Sequence, residues 1–241
     1  MVGVFLRVFE VGKVYRAEPH STSRHINEYV SLDVELGFID GFEDLMRLEA
    51  RLLDAMFQKL KECNAEALSA LAITLPKVTE IPCLHLEEAF DLISEQNGGE
   101  QVERSGSLTA QQEKQLCKAV FERYGSEFVF VTHYSSEERP FYAKDDPANN
   151  NTTLSFDLLF RGLEITTGGE RIDGLEELTA KMKRRGMALE PFKHYLMIFK
   201  HGMPRHGGFA IGLERLTALL LGEENVRQGS LFPRDINRLA P

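Results

Sequence analysis

The sequence predicts an α+β fold: an antiparallel sheet flanked by helices, with a small inserted domain. Three features carry this expectation. From Glu28 to Phe38 apolar and polar residues alternate, the period of a strand with one buried face. Leu45, Leu48, Leu52, Met56 and Leu60 then recur at steps of three and four, the apolar stripe of an amphipathic helix. From residue 63 to 126 the chain turns acidic and turn-rich before strand-like segments resume at Phe128. The expected division is a strand hairpin and helix over 1–62, an insertion over 63–126 and the rest of the main domain over 127–241.

Taken in order, Val8 to Arg16 reads as a first strand and Glu28 to Phe38 as its antiparallel return. The polar link between them holds Pro19, Arg24 and His25, and a long ordered loop of this kind is often functional. Asp40 and Glu43 have the spacing of a capping box for the Leu45–Leu60 helix. Within the acidic stretch, Asn97-Gly98-Gly99 marks a turn, and Thr109 opens a helix that Gly125 stops. Phe128 to Thr132 is a strand. Thr153 to Thr167 is one long strand, or two joined at Gly162. Leu175 to Arg185 is a helix stopped by Gly186; Phe209 to Gly212 is a short strand running into a helix from Leu213 to Leu221 that ends at Gly222.

Composition narrows the function classes. Of 241 residues 43% are hydrophobic, which suits a packed core, and no apolar run approaches the roughly 18 residues of a membrane span. The first twenty residues carry Arg7, Glu10, Lys13, Arg16 and Glu18, unlike a secretory leader. Cys63, Cys83 and Cys117 have neither the spacing nor the His neighbours of a zinc site, so free thiols in a reducing cytoplasm are expected. The net charge of −9 argues against indiscriminate nucleic-acid binding. Charge is uneven, however: residues 80–103 hold seven acids and no Lys or Arg, whereas 181–205 hold seven basic residues against Glu190 alone. A local basic surface and an ordinary solvated helix face are both consistent with that.

Several residues have the makings of a site. Arg16 and Glu18 lie two apart at a strand end and point the same way. Arg24 and His25 follow in the loop, and Asp33 and Glu35 line the polar face of the return strand. Arg suits phosphate because its planar fork binds two oxygens at once; a surface ion-pair ladder is the alternative. Asp157 and Glu164 could together hold Mg²⁺, a hard cation that prefers oxygen. Their spacing puts them on opposite faces of a regular strand, so a bend or bulge near Gly162 is required. Thr166-Thr167-Gly168-Gly169 would let a ligand approach the backbone, and Arg215 at a helix start would favour anions or act as a cap.

Together these segments resemble a known family. Arg16-Ala17-Glu18, Thr22 to Tyr29 and Leu32-Asp33-Val34-Glu35 resemble motif 2 of the class II aminoacyl-tRNA synthetases, and Gly207 to Leu216 resembles motif 3. Ser155 to Ile165 and the ending from Leu231 to Asp235 resemble the aspartyl branch, of the archaeal type also found in some bacteria. The resemblance implies an aspartate–tRNA ligase, or its catalytic part, that forms aspartyl-adenylate and passes it to the 3′ end of tRNA(Asp), with tRNA(Asn) as a second candidate acceptor.

It also implies residue roles. Arg16 would contact the α-phosphate of ATP and the α-carboxylate of aspartate, and Glu18 would help to place the adenine. Arg24 and His25 would meet the outer phosphates, with Ala17 and Ile26 beside them and Tyr29 stacking near the base. Gly212, Leu213 and Glu214 would form the nearby wall, and Arg215 would complete the phosphate clamp. Asp33, Thr167 and Arg171 would bind aspartate, Arg171 through the side-chain carboxylate. Mg²⁺ would be held by Asp157, Glu164 and Thr167. In the family a motif 1 that builds the homodimer and an anticodon-reading domain precede motif 2, so the chain is expected to be incomplete at its amino end. Glu170 and Asp173 depart from the family's usual residues and add two acids beside Arg171. The competing readings are an asparagine-making paralogue that uses the same adenylate, and a non-catalytic module on a truncated synthetase scaffold.

Overall fold

The structure is a computed structural model that describes residues 2–17, 19, 21–78 and 80–240. Nine strands and seven α-helices are formed among them. Strands β1 (Arg7–Tyr15), β2 (Glu28–Gly37), β3 (Cys83–His85), β4 (Phe128–Thr132), β7 (Ser155–Phe160), β8 (Leu163–Arg171) and β9 (His206–Gly212) make one sheet in the order β1-β2-β9-β8-β7-β4-β3. Strands β5 (Asp145–Asp146) and β6 (Asn149–Thr153) form a small separate pair. The sheet is antiparallel as expected, except that β3 runs parallel to β4. A parallel pair needs a long crossover, and helices α3 (Leu86–Gln96) and α4 (Ala110–Tyr124) supply it. The acidic stretch 63–126 thus contributes an edge strand and two helices that share a core with β4 and β7.

Each face of the sheet is covered differently. Helix α1 (Glu43–Cys63) buries Leu45, Leu53 and Phe57 against Val34, Phe156, Leu158, Phe209 and Ile211 on one face. On the other, α3 and α4 pack Phe90, Ile93, Leu116 and Val120 over Val129, Val131 and Leu159. Helices α5 (Leu175–Arg184) and α6 (Lys193–Lys200) form a third cluster around Leu178, Met182 and Phe199. The middle of this second face, along β2, β9 and β8, is left without a helix over it. The shorter α2 (Ala65–Ala70) follows α1, and α7 (Leu213–Leu221) follows β9. None of the described helices is long and apolar enough to cross a membrane.

Local signals in the sequence mostly act as read. Thr109 caps α4 in a reciprocal box with Gln112, and Gly125, Gly186 and Gly222 adopt the left-handed conformation after α4, α5 and α7. Asp40 and Glu43 do not form the expected box. The N-cap of α1 is Phe42, without a side-chain cap, and the Asp40 N–H instead donates to the Asp44 carboxylate at 2.8 Å. The stretch from Thr153 to Thr167 spans the end of β6 and the β7–β8 hairpin. Phe160 pairs with Leu163, and both turn residues, Arg161 and Gly162, have positive φ, the geometry that matches strand twist in a two-residue turn. Strands β3, β5 and β6 and helices α2, α3 and α6 have no counterpart among the elements expected from the sequence.

Candidate functional site

Register places the polar residues. Directly paired residues of an antiparallel sheet share a face. Ser31 pairs with Gly212, Asp33 with Ala210 and Glu35 with Gly208; Ala210 in turn pairs with Thr167 and Gly208 with Gly169. Acids of β2 thus stand beside a floor of glycine and alanine on the uncovered face. Gly208 is required there, since a Cβ would lie 2.2 Å from the Val34 carbonyl oxygen and 2.4 Å from the Glu35 carboxyl carbon. In the β7–β8 hairpin Leu158 pairs with Thr166 but Leu159 with Glu164, so Ile165 is an extra residue. The Arg161-Gly162 turn sets Glu164 opposite Leu159 and so on the face of Asp157; the hairpin, rather than a bulge at Gly162, unites the two carboxylates, and the bulge at Ile165 adds Thr167 to the same face.

A cleft of about 290 Å³ opens on that face. Its lining includes Arg16, Arg24, His25, Ile26, Tyr29, Glu164, Thr167, Gly212, Glu214 and Arg215, so most of the expected ATP set converges. Ala17 and Leu213 are not in the lining, and Glu18 lies outside the described residues. The Arg16 N–H bonds the Asn27 carbonyl at 2.9 Å, closing the β1–β2 loop, and its guanidinium lies 5.6 Å from the centre of the Tyr29 ring. Arg215 donates to the Glu164 carbonyl at 2.8 Å and faces its carboxylate at 3.3 Å. Thr167 donates to the same carboxylate at 3.1 Å. Burial, with Asp157 and Glu113 nearby, raises the Glu164 carboxyl above its ordinary value, and Arg215 and Arg139 oppose this. Glu214 has a structural tie as well: both its oxygens accept the Val30 N–H, at 3.0 and 2.9 Å.

A second cleft, of about 590 Å³, holds Asp33, Glu35, Arg171 and His206 beside Tyr142 and Tyr195. The expected aspartate set is therefore divided, with Arg16 and Thr167 in the first cleft and Asp33 and Arg171 in the second. The Asp33–Ala210–Thr167 row of the sheet joins the two. Arg171 bonds Glu35 at 3.1 Å and lies 5.1 Å from the Tyr142 ring centre. Burial raises Asp33, opposed by its bond from Ser31. Glu170 and Asp173 do not enter this cleft. Glu170 is fully buried, held by two 2.7 Å bonds from Arg205 with Lys144 at 3.4 Å, and Asp173 takes a 2.8 Å bond from Lys144. Both added acids have their own cations, which leaves Arg171 facing the cleft.

Two residues that the sequence did not flag belong to the neighbourhood. Arg139 forms a 2.8 Å ion pair with Asp157 and stacks 3.9 Å from the Tyr134 ring centre. Glu113, on α4, holds Arg24. Both line a third cavity of about 200 Å³ that also reaches Asp157 and Glu164. Neither carries a periodic or spacing signal, because each meets its partner only after the sheet has formed. No cluster of three or more His, Cys, Asp or Glu among the described residues is arranged as a metal site. The donor chemistry nevertheless fits a hard cation. Glu164 and Thr167 offer oxygens to the first cleft, and Asp157, which lines the third cavity instead, has a buried Oδ1 without a hydrogen-bond partner among the described residues.

Comparison with known proteins gives a consistent picture. The family model described as tRNA synthetases class II (D, K and N) matches residues 1–236. The chain is 50% identical to the aspartate–tRNA(Asp/Asn) ligase of Thermus thermophilus and 48% identical to that of Deinococcus radiodurans, each over 100% of the chain and 56% of the relative. It spans about half the length of these curated relatives. Among solved structures, the aspartyl tRNA synthetase of Entamoeba histolytica superposes with a TM-score of 0.93 at 31% identity, covering 100% of this chain and 50% of that one. The asparaginyl-tRNA synthetase of Pyrococcus horikoshii complexed with asparaginyl-adenylate superposes at 0.89 and 29% identity, covering 100% and 55%.

Proposed function

The chain belongs to the class II tRNA synthetases (D, K and N), and we propose that it carries the catalytic site of an aspartate–tRNA ligase. One observation carries the choice of substrate: Arg171, a fixed cation in a cleft walled by Tyr142 and Tyr195, on the same sheet face as the arginine-lined first cleft. Glu35 takes one edge of that guanidinium; a side-chain carboxylate adds a second charged acceptor where the carboxamide of asparagine offers only a neutral one, a difference of roughly 1–3 kcal/mol.

In the reaction the α-carboxylate of aspartate attacks the α-phosphorus of ATP and pyrophosphate leaves. A ribose hydroxyl at the tRNA 3′ end then attacks the carbonyl carbon of aspartyl-adenylate and AMP departs. No protein nucleophile is needed, so the chain's work is positioning and charge stabilisation. Arg16 steadies the α-phosphoryl group, Arg24 and Arg215 hold the outer phosphates, and Tyr29 packs by the base. Asp33, near the small-residue floor, receives the α-ammonium of aspartate. Glu164 and Thr167, with Asp157 behind them, would hold Mg²⁺, which neutralises phosphate charge when bound. The acceptors are tRNA(Asp) and, following the names of the Thermus and Deinococcus relatives, tRNA(Asn).

The test is aspartate-dependent ATP–pyrophosphate exchange by the purified chain, with asparagine and Arg171→Ala as controls. Exchange is expected with aspartate, weak with asparagine, and reduced roughly 100-fold or more in the variant. Equal exchange with asparagine, or an unaffected variant, would remove Arg171 from substrate selection.

A further inference from the structure

Glu113 lies in none of the segments that carry the family resemblance, yet its carboxylate ties together two parts of the first cleft. It sits in the first turn of α4, a helix fixed by the Thr109–Gln112 capping box and by Leu116 and Val120 in the core. Its side chain is 8% exposed. Both oxygens accept from Nη2 of Arg24, at 2.8 and 2.6 Å, across 89 positions of sequence. Oε2 also accepts the backbone N–H of Glu164 at 3.1 Å. One acid on a rigid helix therefore sets the side chain of a loop arginine relative to the strand that carries Glu164.

We propose that Glu113 is a positioning residue for the polyphosphate of ATP, holding Arg24 in the orientation that receives an outer phosphate; the inference rests on the reading of the first cleft as an ATP site. The bonding pattern separates this role from that of a latch that ATP must displace. Glu113 takes only Nη2. Arg24 Nε is buried without a hydrogen-bond partner among the described residues, so that part of the guanidinium still lacks an acceptor. Glu113 thus leaves the other donors of Arg24, which lines the cleft, free to meet a phosphate oxygen while the carboxylate keeps its hold on Nη2, and the Glu164 N–H keeps the carboxylate from swinging away. The loop backbone is pinned independently, since Val226 donates to the Ser23 carbonyl and Arg227 to the Thr22 carbonyl, both at 2.8 Å. What Glu113 adds is the aim of the side chain, which otherwise samples many rotamers.

The experiment is calorimetric titration of the chain with Mg²⁺–ATP and, separately, with aspartate. Glu113→Gln keeps an oxygen for the Glu164 N–H but loses the charge that holds Arg24. ATP affinity is expected to fall about tenfold while aspartate affinity stays within twofold. On an Arg24→Gln background the same substitution is expected to change ATP affinity by less than twofold, because no guanidinium remains to be aimed. In exchange assays KM for ATP rises with kcat little changed. Glu113→Asp retains the charge and, should the glutamine variant fail to fold, is expected to show a smaller loss confined to ATP. Unchanged or tighter ATP binding by Glu113→Gln, or effects that add fully to those of Arg24→Gln, would overturn the proposal alone. Absence of ATP binding by the unaltered chain would overturn the functional reading and this inference with it.

Discussion

Replacing Glu49 with Gln should make the protein more stable in base while changing little in acid. Glu49 lies on the face of α1 that packs on the sheet, at 0% exposure inside the main apolar core, and neither of its oxygens has a hydrogen-bond partner among the described residues. Burial pushes its carboxyl from the ordinary 4.5 up to about 8; the nearby Thr166 hydroxyl opposes the shift and the charge of Asp157 adds to it. Between those two values the folded state keeps a proton that the unfolded chain has released. The contribution of this residue to stability is therefore greatest below pH 4.5 and is lost as pH rises through 8, with a limiting slope of about 1.4 kcal/mol per pH unit. The full excursion amounts to at most about 5 kcal/mol, a large share of the roughly 5–15 kcal/mol that stabilises a typical domain. The chain has no Trp, so far-UV circular dichroism is the signal for urea unfolding from pH 5 to 9. Glu49→Gln should lie within about 1 kcal/mol of the unaltered chain at pH 5 and exceed it by about 3 kcal/mol or more at pH 9. A stability difference that does not vary with pH would refute the reasoning, since it would mean that Glu49 does not titrate differently in the two states.

Two further substitutions probe the floor of the site and its surroundings. Gly208→Ala forces a Cβ against the Val34 carbonyl and the Glu35 carboxyl; overpacking of this kind costs about 1–3 kcal/mol, or a melting temperature lower by about 5 °C. Thermal melting checks it, and an unchanged midpoint would show that β2 and β9 can move apart freely. Lys181, 2% exposed, donates to the Ala143 carbonyl at 2.7 Å and to Asp145 at 2.5 Å. Lys181→Met should destabilise by about 3 kcal/mol in urea titration, because the half-buried Asp145 is left to Arg184 and Ser136; no loss would mean that those two partners suffice.

What the sequence disclosed was what local chemistry controls. The alternation in β2, the stripe on α1, the Thr109 cap and the terminal glycines each report a choice made within a few residues. That Asp157 and Glu164 need a break in the strand to share a face was legible because a strand has a strict period of two; the break is the turn at Arg161-Gly162, and the bulge at Ile165 was not foreseen. Glu113, Arg139 and Lys144 were not legible, since a lone charge in a sequence says nothing about which distant partner folding will bring to it. The same holds for Glu170. Beside Arg171 in sequence it read as a nearby acid, whereas in the fold it is buried and saturated by Arg205 and Lys144. The parallel β3 was missed because three residues are too few to display a period.

The extra residue at Ile165 makes the β7–β8 hairpin a counting device. With Arg161-Gly162 closing the turn, the number of residues between Asp157 and Glu164 fixes which way Glu164 faces, and the one unpaired residue before Thr166 fixes which way Thr167 faces. Losing or gaining a single residue there would turn Glu164 out of the cleft without altering any side chain's chemistry. Segments such as 97–106, where no paired register has to be preserved, carry no such constraint. The hairpin can therefore vary in composition far more readily than in length.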